Sequence, residues 1–251
     1  MLTINVLTLA KKGGSMKEPK LLLKQLFDKE TSTYTYLVAD IKTKEAAIID
    51  PVIENIERDF KLLQELELSL KYVLDTHVHA DHITASSLLR ERTGAKTVVS
   101  TDANVTCSDI AINEGDKLFL GKLEILGIKT PGHTDGCMSY HTENMIFTGD
   151  SLLIRGTGRT DFQQGDSKEM FNSIQNKLFK LPNETIIYPG HDYNGHTAST
   201  IGEEKKHNPR IKIGTALGEY VQTMKDLKLD DPKHIHTAVP ANLKCGKTGI
   251  I

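Results

Sequence analysis

Residues 76–82 read Thr76-His77-Val78-His79-Ala80-Asp81-His82, three imidazoles and a carboxylate in one short run. Such a run is unsuited to an apolar core, because each buried ring needs partners for both of its nitrogens. Residues 71–74 before it have strand character and residues 83–92 after it have helix character, which makes the run a loop at the C-terminal end of a strand. There, alternate residues share a direction, so His77 and His79 converge while Asp81 and His82 turn toward a neighbouring position. A metal site uses all four; a solvated polar loop is the alternative.

The 251-residue chain, 38% apolar and 25% charged, supplies ample material for one large core. Residues 21–251 are read as a single domain with a helical C-terminal part, and 1–20 as a loose extension. The charge order at 1–15 is the reverse of a secretory signal, and Met16 offers an alternative start. A net charge of −2 with both signs interspersed leaves no basic stripe for nucleic acid or an anionic membrane. No apolar run approaches the roughly 20 residues of a membrane span, so a soluble protein is expected. Three scattered cysteines, Cys107, Cys137 and Cys245, form no CxxC pair. They point to a reducing compartment and against a disulfide framework.

Alternation predicts strands at 34–39 and 46–49, then a helix at 54–68 with its apolar face on Ile56, Phe60, Leu63 and Leu66. Strand 71–74, helix 83–92, strand 97–99 and a short helix at 103–110 follow. Strand pairs come next at 117–120 with 123–130 and at 138–142 with 145–147, then a helix at 167–180 and a strand at 185–188. The tail from Thr197 reads as mostly helical, becoming irregular from Val239. In a layered α/β domain the strand ends gather along one edge, where distant loops build a site. Three later loops carry suitable chemistry: 130–134 with His133, 148–150 with Asp150, and 189–193 with His191, Asp192 and Tyr193.

The constellation is therefore His77, His79, Asp81, His82, His133, Asp150 and His191, all N/O donors with no thiolate. Two metals bridged by Asp150 would suit hydrolysis. Two histidines and one carboxylate around a single metal with open positions would suit ferrous iron and oxygen chemistry. Spacing alone leaves both open.

The order of these motifs resembles the metallo-β-lactamase superfamily, whose HxHxDH signature is met by residues 77–82 and whose later ligands are met by His133, Asp150 and His191. The fold this implies is an α/β αββα sandwich of two mixed β-sheets flanked by helices. Within the superfamily, residues 22–246 are most similar to the ETHE1-type persulfide dioxygenases. The matching segments are 76–84, 148–156, 158–165, 187–193, Asn208-Pro209-Arg210 and 239–246, and the 159–165 run separates this group from glyoxalase II relatives. Asp135 stands where relatives often have a small residue or Pro, and Gly190 where some have Ala; neither changes the identity of a ligand.

The resemblance implies a dioxygenase that oxidises glutathione persulfide with O2 to sulfite and glutathione at one Fe(II) per chain. It places the iron triad on His77, His133 and Asp150, with His79, Asp81, His82 and His191 as supporting residues or ligands of a second metal. A dinuclear glyoxalase II-like hydrolase of glutathione thioesters is the alternative. Arg159 and Tyr193 match positions that hold glutathione in relatives. Arg155, Arg210 and Cys245 are further candidates for the substrate pocket, and Asp192 is a candidate catalytic group that equally suits bracing its own loop. The resemblance also implies a homodimer, cytoplasmic in a bacterium or mitochondrial in a eukaryote. The sequence ends at Ile251 without a rhodanese domain, so a sulfurtransferase is expected to act in trans.

Overall fold

The computed structural model describes residues 20–247. Apart from Lys20, the extension expected at 1–20 lies outside the described residues. The first sheet holds β1 (Leu21–Phe27), β2 (Tyr34–Asp40), β3 (Glu45–Ile49), β4 (Ser69–Leu74), β5 (Lys96–Ser100) and β6 (Ile110–Ile112), side by side in chain order. Its first three strands are antiparallel and the rest run parallel. The second sheet holds β7 (Lys117–Leu120), β8 (Leu123–Lys129), β9 (Met138–Thr142), β10 (Met145–Gly149), β11 (Ile186–Pro189) and β12 (Ser199–Thr200), again in chain order. Only β10 and β11 pair in parallel there.

The period of two along each strand sorts its side chains into layers. On β2, Tyr36 and Val38 face the second sheet, where they meet Tyr140, Phe147 and Tyr188. Leu37 and Ala39 face outward onto α1 (Ile56–Glu65) and α2 (Ser86–Thr93), against Ile56, Leu63 and Leu89. On the far side, Ile146 and Ile187 pack beneath Met170 and Ile174 of α3 (Ser167–Asn176) and Tyr220 of α5 (Leu217–Asp226). The result is the expected αββα sandwich. Each large apolar side chain fully buried in these layers contributes about 1.5–3 kcal/mol. The helices start on local signals: Asp166 caps α3 through Lys168 and Glu169 N–H, and Thr200 with Glu203 forms a capping box on α4 (Ile201–His207).

Several elements differ from the sequence reading. The helix expected at 83–92 begins only at Ser86, because Ile83 and Thr84 are taken up by backbone pairing to Ile53 and Val52. No helix forms at 103–110. A single 3-10 turn at Thr101–Ala103 ends where Asn104 turns left-handed, and Asp109 is anchored to Thr97, which feeds Ile110 into β6 beside β5. Of the segment expected to be irregular from Val239, residues 239–242 form the last turn of α6 (Ile235–Asn242), which accommodates Pro240, whereas 243–247 are irregular as expected. Cys107 and Cys245 are joined by a disulfide, contrary to the expectation of free thiols. The two halves lie 138 residues apart, a pairing that no local spacing reveals.

At one edge the sheets are tied together. Tyr140 donates its hydroxyl to the Asp75 carbonyl, Tyr36 to the Pro189 carbonyl, and Met138 N–H to the Thr76 carbonyl. Tyr34 N–H donates to the Gly190 carbonyl. The strand ends that enter these ties are the ones carrying the histidine and aspartate loops.

Candidate metal centre

Three loops converge at that edge. The loop after β4 brings His77, the loop after β8 brings His133, and the end of β10 brings Asp150. One donor atom from each lies within 4.8 Å of the others. His133 Nε2 is 3.7 Å from Asp150 Oδ2, and the His77 and His133 rings stand edge to face at 4.9 Å.

Each of these groups has one atom occupied and one free. His133 Nδ1–H donates to the Arg159 carbonyl at 2.7 Å, which leaves Nε2 open. His77 Nδ1–H donates to the Thr76 hydroxyl, itself a donor to Asp50 Oδ2, so His77 Nε2 is open too. Asp150 Oδ1 accepts from His191 Nδ1–H at 2.7 Å and leaves Oδ2 to the centre. Two glycines permit this crowding. Gly149 is left-handed at φ 49° and abuts Thr76, and a side chain on Gly158 would press on the Asp150 carbonyl and on His133 Nδ1. Two imidazole nitrogens and one carboxylate oxygen, each held by an outer partner, form a set that fits one divalent metal with open positions.

The superfamily model "Metallo-beta-lactamase superfamily" matches residues 28–191. The chain belongs to the metallo-β-lactamase superfamily. It is 44% identical to human "Persulfide dioxygenase ETHE1, mitochondrial" over 95% of this chain and 93% of that one. The crystal structure of ETHE1 from Myxococcus xanthus superposes with a TM-score of 0.88 at 50% identity, covering 90% of this chain and all of that one. "Glyoxylase B2" of Dictyostelium discoideum is 28% identical over 87% of this chain and 88% of its own.

The other four residues of the superfamily signature form a second group beside the triad. His79, Asp81 and His82 also bring donor atoms within 4.8 Å of one another. His79 Nδ1 and His82 Nε2 are buried without a hydrogen-bond partner, while His79 Nε2–H donates to Asp50 and His82 Nδ1–H to Asp81. Burial together with the nearby His82 depresses His79 to about 3, so it is a neutral ring with a free lone pair. His191 behaves differently. Its Nδ1–H donates to Asp150 and its Nε2–H to Asp81 Oδ2 at 3.1 Å, so neither nitrogen is free. Burial opposes its charge, but the two carboxylates outweigh that and hold it well above the usual imidazole range. Burial would likewise raise Asp81, yet His82 and His191 hold it well below the carboxylate range. Asp81 Oδ2 also accepts from the Thr33 hydroxyl.

The substrate-pocket candidates are placed unevenly. Arg159 stacks over Phe162 at 4.4 Å, forms a two-pronged ion pair with Asp161 and donates to the Asp230 carbonyl. Tyr193 is 70% exposed and stacks parallel on His191. Both flank the centre. Arg155 points away from it, into a pair with the fully buried Glu204, and Arg210 donates to the Thr157 carbonyl. The Cys245 sulfur is bonded to Cys107 and buried among Val99, Ala103 and Val105, with Val78 of the signature loop packed against that cluster. The Asp192 carboxylate accepts from Asn194 and His196 N–H, which braces its own loop.

Three supporting residues of the site are not among the candidates read from the sequence. Asp50 is fully buried at the end of β3 and accepts from Thr76 N–H, the Thr76 hydroxyl and His79. Asp75, just before the signature, accepts from the Thr84 and Ser86 hydroxyls. Asn242 reaches the signature loop from α6. A charged residue closing an otherwise apolar strand, as in Ile49-Asp50-Pro51, is the one available hint for Asp50.

Proposed function

We propose that the protein is a persulfide dioxygenase acting on glutathione persulfide at a single ferrous iron. The reaction is GSSH + O2 + H2O → GSH + sulfite + two protons. The observation that carries the reading is the triad with its three donor atoms free on one side and all three outer atoms occupied. The similarity over nearly the whole chain to proteins named persulfide dioxygenase supports it. His77, His133 and Asp150 would hold the ferrous iron, which would supply a binding site for the persulfide sulfur and the redox chemistry that activates dioxygen.

The chain's own residues do the rest. Asp50, through Thr76, and the Arg159 carbonyl fix the tautomers of His77 and His133. His191, charged between Asp81 and Asp150, holds the Asp150 carboxylate in one orientation. A cleft of about 410 Å3 lined by Phe162, Gln163, Asp231, Ile235, His236, Val239 and Pro240 is large enough for a tripeptide. Gln163 in its wall donates to the Val78 carbonyl of the signature loop. Arg159 and Tyr193 flank the approach and orient the glutathione carboxylates. A homodimer and a sulfurtransferase acting in trans complete the reading. Among the described residues, no helix is long and apolar enough to cross a membrane.

One observation favours a second reading. The free nitrogens of His79 and His82 beside Asp81 could hold another cation and make a dinuclear hydrolase of glutathione thioesters. Against it, both nitrogens of His191 are engaged with carboxylates, and Asp81 Oδ2 already accepts three hydrogen bonds. Oxygen uptake on adding glutathione persulfide to anaerobically purified protein, with metal content on the same sample, decides between them. About one iron per chain with sulfite formed supports the dioxygenase. Flat oxygen, two metals per chain and cleavage of S-lactoylglutathione establish the hydrolase.

A further inference from the structure

The C-terminal end of α6 lies directly on the signature loop. Asn242, 4% exposed, donates its side-chain amide to the carbonyls of both His79 and His82 at 2.9 Å and accepts from Thr84 N–H at 2.9 Å. The next turn continues the contact: Ser87 N–H donates to the Cys245 carbonyl, and Gly246, left-handed at φ 81°, sits where any side chain would strike the Thr84 carbonyl. The same helix supplies Ile235, His236, Val239 and Pro240 to the cleft wall. The Cys107–Cys245 disulfide fastens this segment to the loop that precedes β6. Cys245 is buried, whereas Cys107 is partly open to solvent.

We propose that Cys107 and Cys245 are a second sulfane-sulfur-reactive site, a dithiol that glutathione persulfide closes into the disulfide, seating the positioning residue Asn242 on the metal-bearing loop. The more exposed Cys107 thiolate attacks the outer sulfur of the persulfide, giving Cys107–S–SH and glutathione thiolate. The Cys245 thiolate then attacks the Cys107 sulfur and expels hydrosulfide. In sum, two protein thiols and GSSH yield one protein disulfide, GSH and hydrogen sulfide. The persulfide is reduced and the dithiol oxidised, so no other oxidant is needed. Two molecules of a free thiol reopen the disulfide and leave as a disulfide of their own. A disulfide is thereby compatible with a reducing compartment, because it forms in proportion to the substrate. The consequence is an enzyme that grips its metal loop more firmly when substrate accumulates.

The identity of the oxidant rests on the persulfide reading; the clasp itself does not. The test uses the iron-loaded full chain, reduced with dithiothreitol and desalted under argon. Glutathione persulfide is added without oxygen, where dioxygenation cannot proceed. Thiols counted in denaturant should fall from three to one per chain with one sulfide released. Iron transfer to a chelator should then slow by about tenfold or more relative to the reduced protein. Cys107→Ser should show neither change, and Asn242→Ala should close the disulfide yet lose iron quickly in both states. A thiol count that stays at three, a persulfide that stops on one cysteine, or a closed disulfide with an unchanged chelation rate would each overturn the proposal. Oxygen uptake in air on the same preparation tests the dioxygenase separately: if it fails while the anaerobic thiol chemistry persists, only the functional reading is lost.

Discussion

Glu204 offers a quantitative test of how the centre is supported. Its side chain is fully buried and is approached only by donors: Arg155 N–H and guanidinium, the Ser199 hydroxyl and the Asn208 amide. Only a carboxylate, an acceptor on both oxygens, satisfies that set. Glu204→Ala strips the partner from Arg155 and orphans the other donors, a change that costs about 3–5 kcal/mol for a fully buried pair. The Arg155 side chain is 36% exposed and regains some water, so the low end, about 3 kcal/mol, applies. At about 2–4 °C per kcal/mol for a chain of this size, the melting temperature should fall by about 6–12 °C. Glu204→Gln should recover less than half of that, because its amide NH2 faces other donors. The same loop leads through Gly156 and Gly158 to the carbonyl that holds His133, so both variants should also release iron to a chelator faster than the parent. Calorimetry with a chelation assay reads both. A Glu204→Gln protein that melts within about 2 °C of the parent would refute the reasoning.

His133→Ala should lose bound iron and oxygen uptake together, measured by metal analysis and an oxygen electrode, whereas Arg159→Ala should raise KM roughly tenfold and lower kcat much less. Gly158→Ala should fold with an unchanged circular dichroism spectrum but retain little iron, since the added methyl meets Asp150 and His133. Burial pushes the Cys137 thiol up to about 12, so at pH 8 only about one molecule in ten thousand carries a thiolate there. The disulfide form should therefore take up no iodoacetamide when native, one equivalent when denatured and three when denatured and reduced, counted by mass spectrometry.

Much of this architecture can be read from the chain because its signals are local. The alternation in 34–39 and 123–130 marks strands, and the signature at 76–82 announces its own chemistry. What escapes is whatever depends on a distant partner. β1 and β6 are edge strands, half-exposed or very short, and owe their form to the neighbour they pair with rather than to their own periodicity. The turn at Asn104 and the anchoring of Asp109 by Thr97 redirect a stretch that reads as a helix. Asp50, Asn242 and Glu204 are ordinary polar residues until the fold closes other donors and acceptors around them. Arg155 looks like a substrate ligand for the same reason: nothing nearby in sequence names Glu204 as its counter-charge. Cys107 and Cys245 meet only because α6 is laid across the signature loop.

The ties between the sheets are graded along the sandwich. At the metal edge they are buried and include Tyr36, Tyr140 and the backbone of Thr76. At the opposite edge, the turn after β7 is held by Gly121 N–H on the partly exposed Glu45 and Lys122 N–H on Asp40. Water competes for the second pair and is excluded from the first. The molecule therefore resembles a book bound along the edge that carries the histidines. Thermal opening should begin at the far end, with amide exchange fastest around Gly121 and slowest beside Met138 and Tyr34, so that the two halves breathe while the distance between His77 and His133 is preserved.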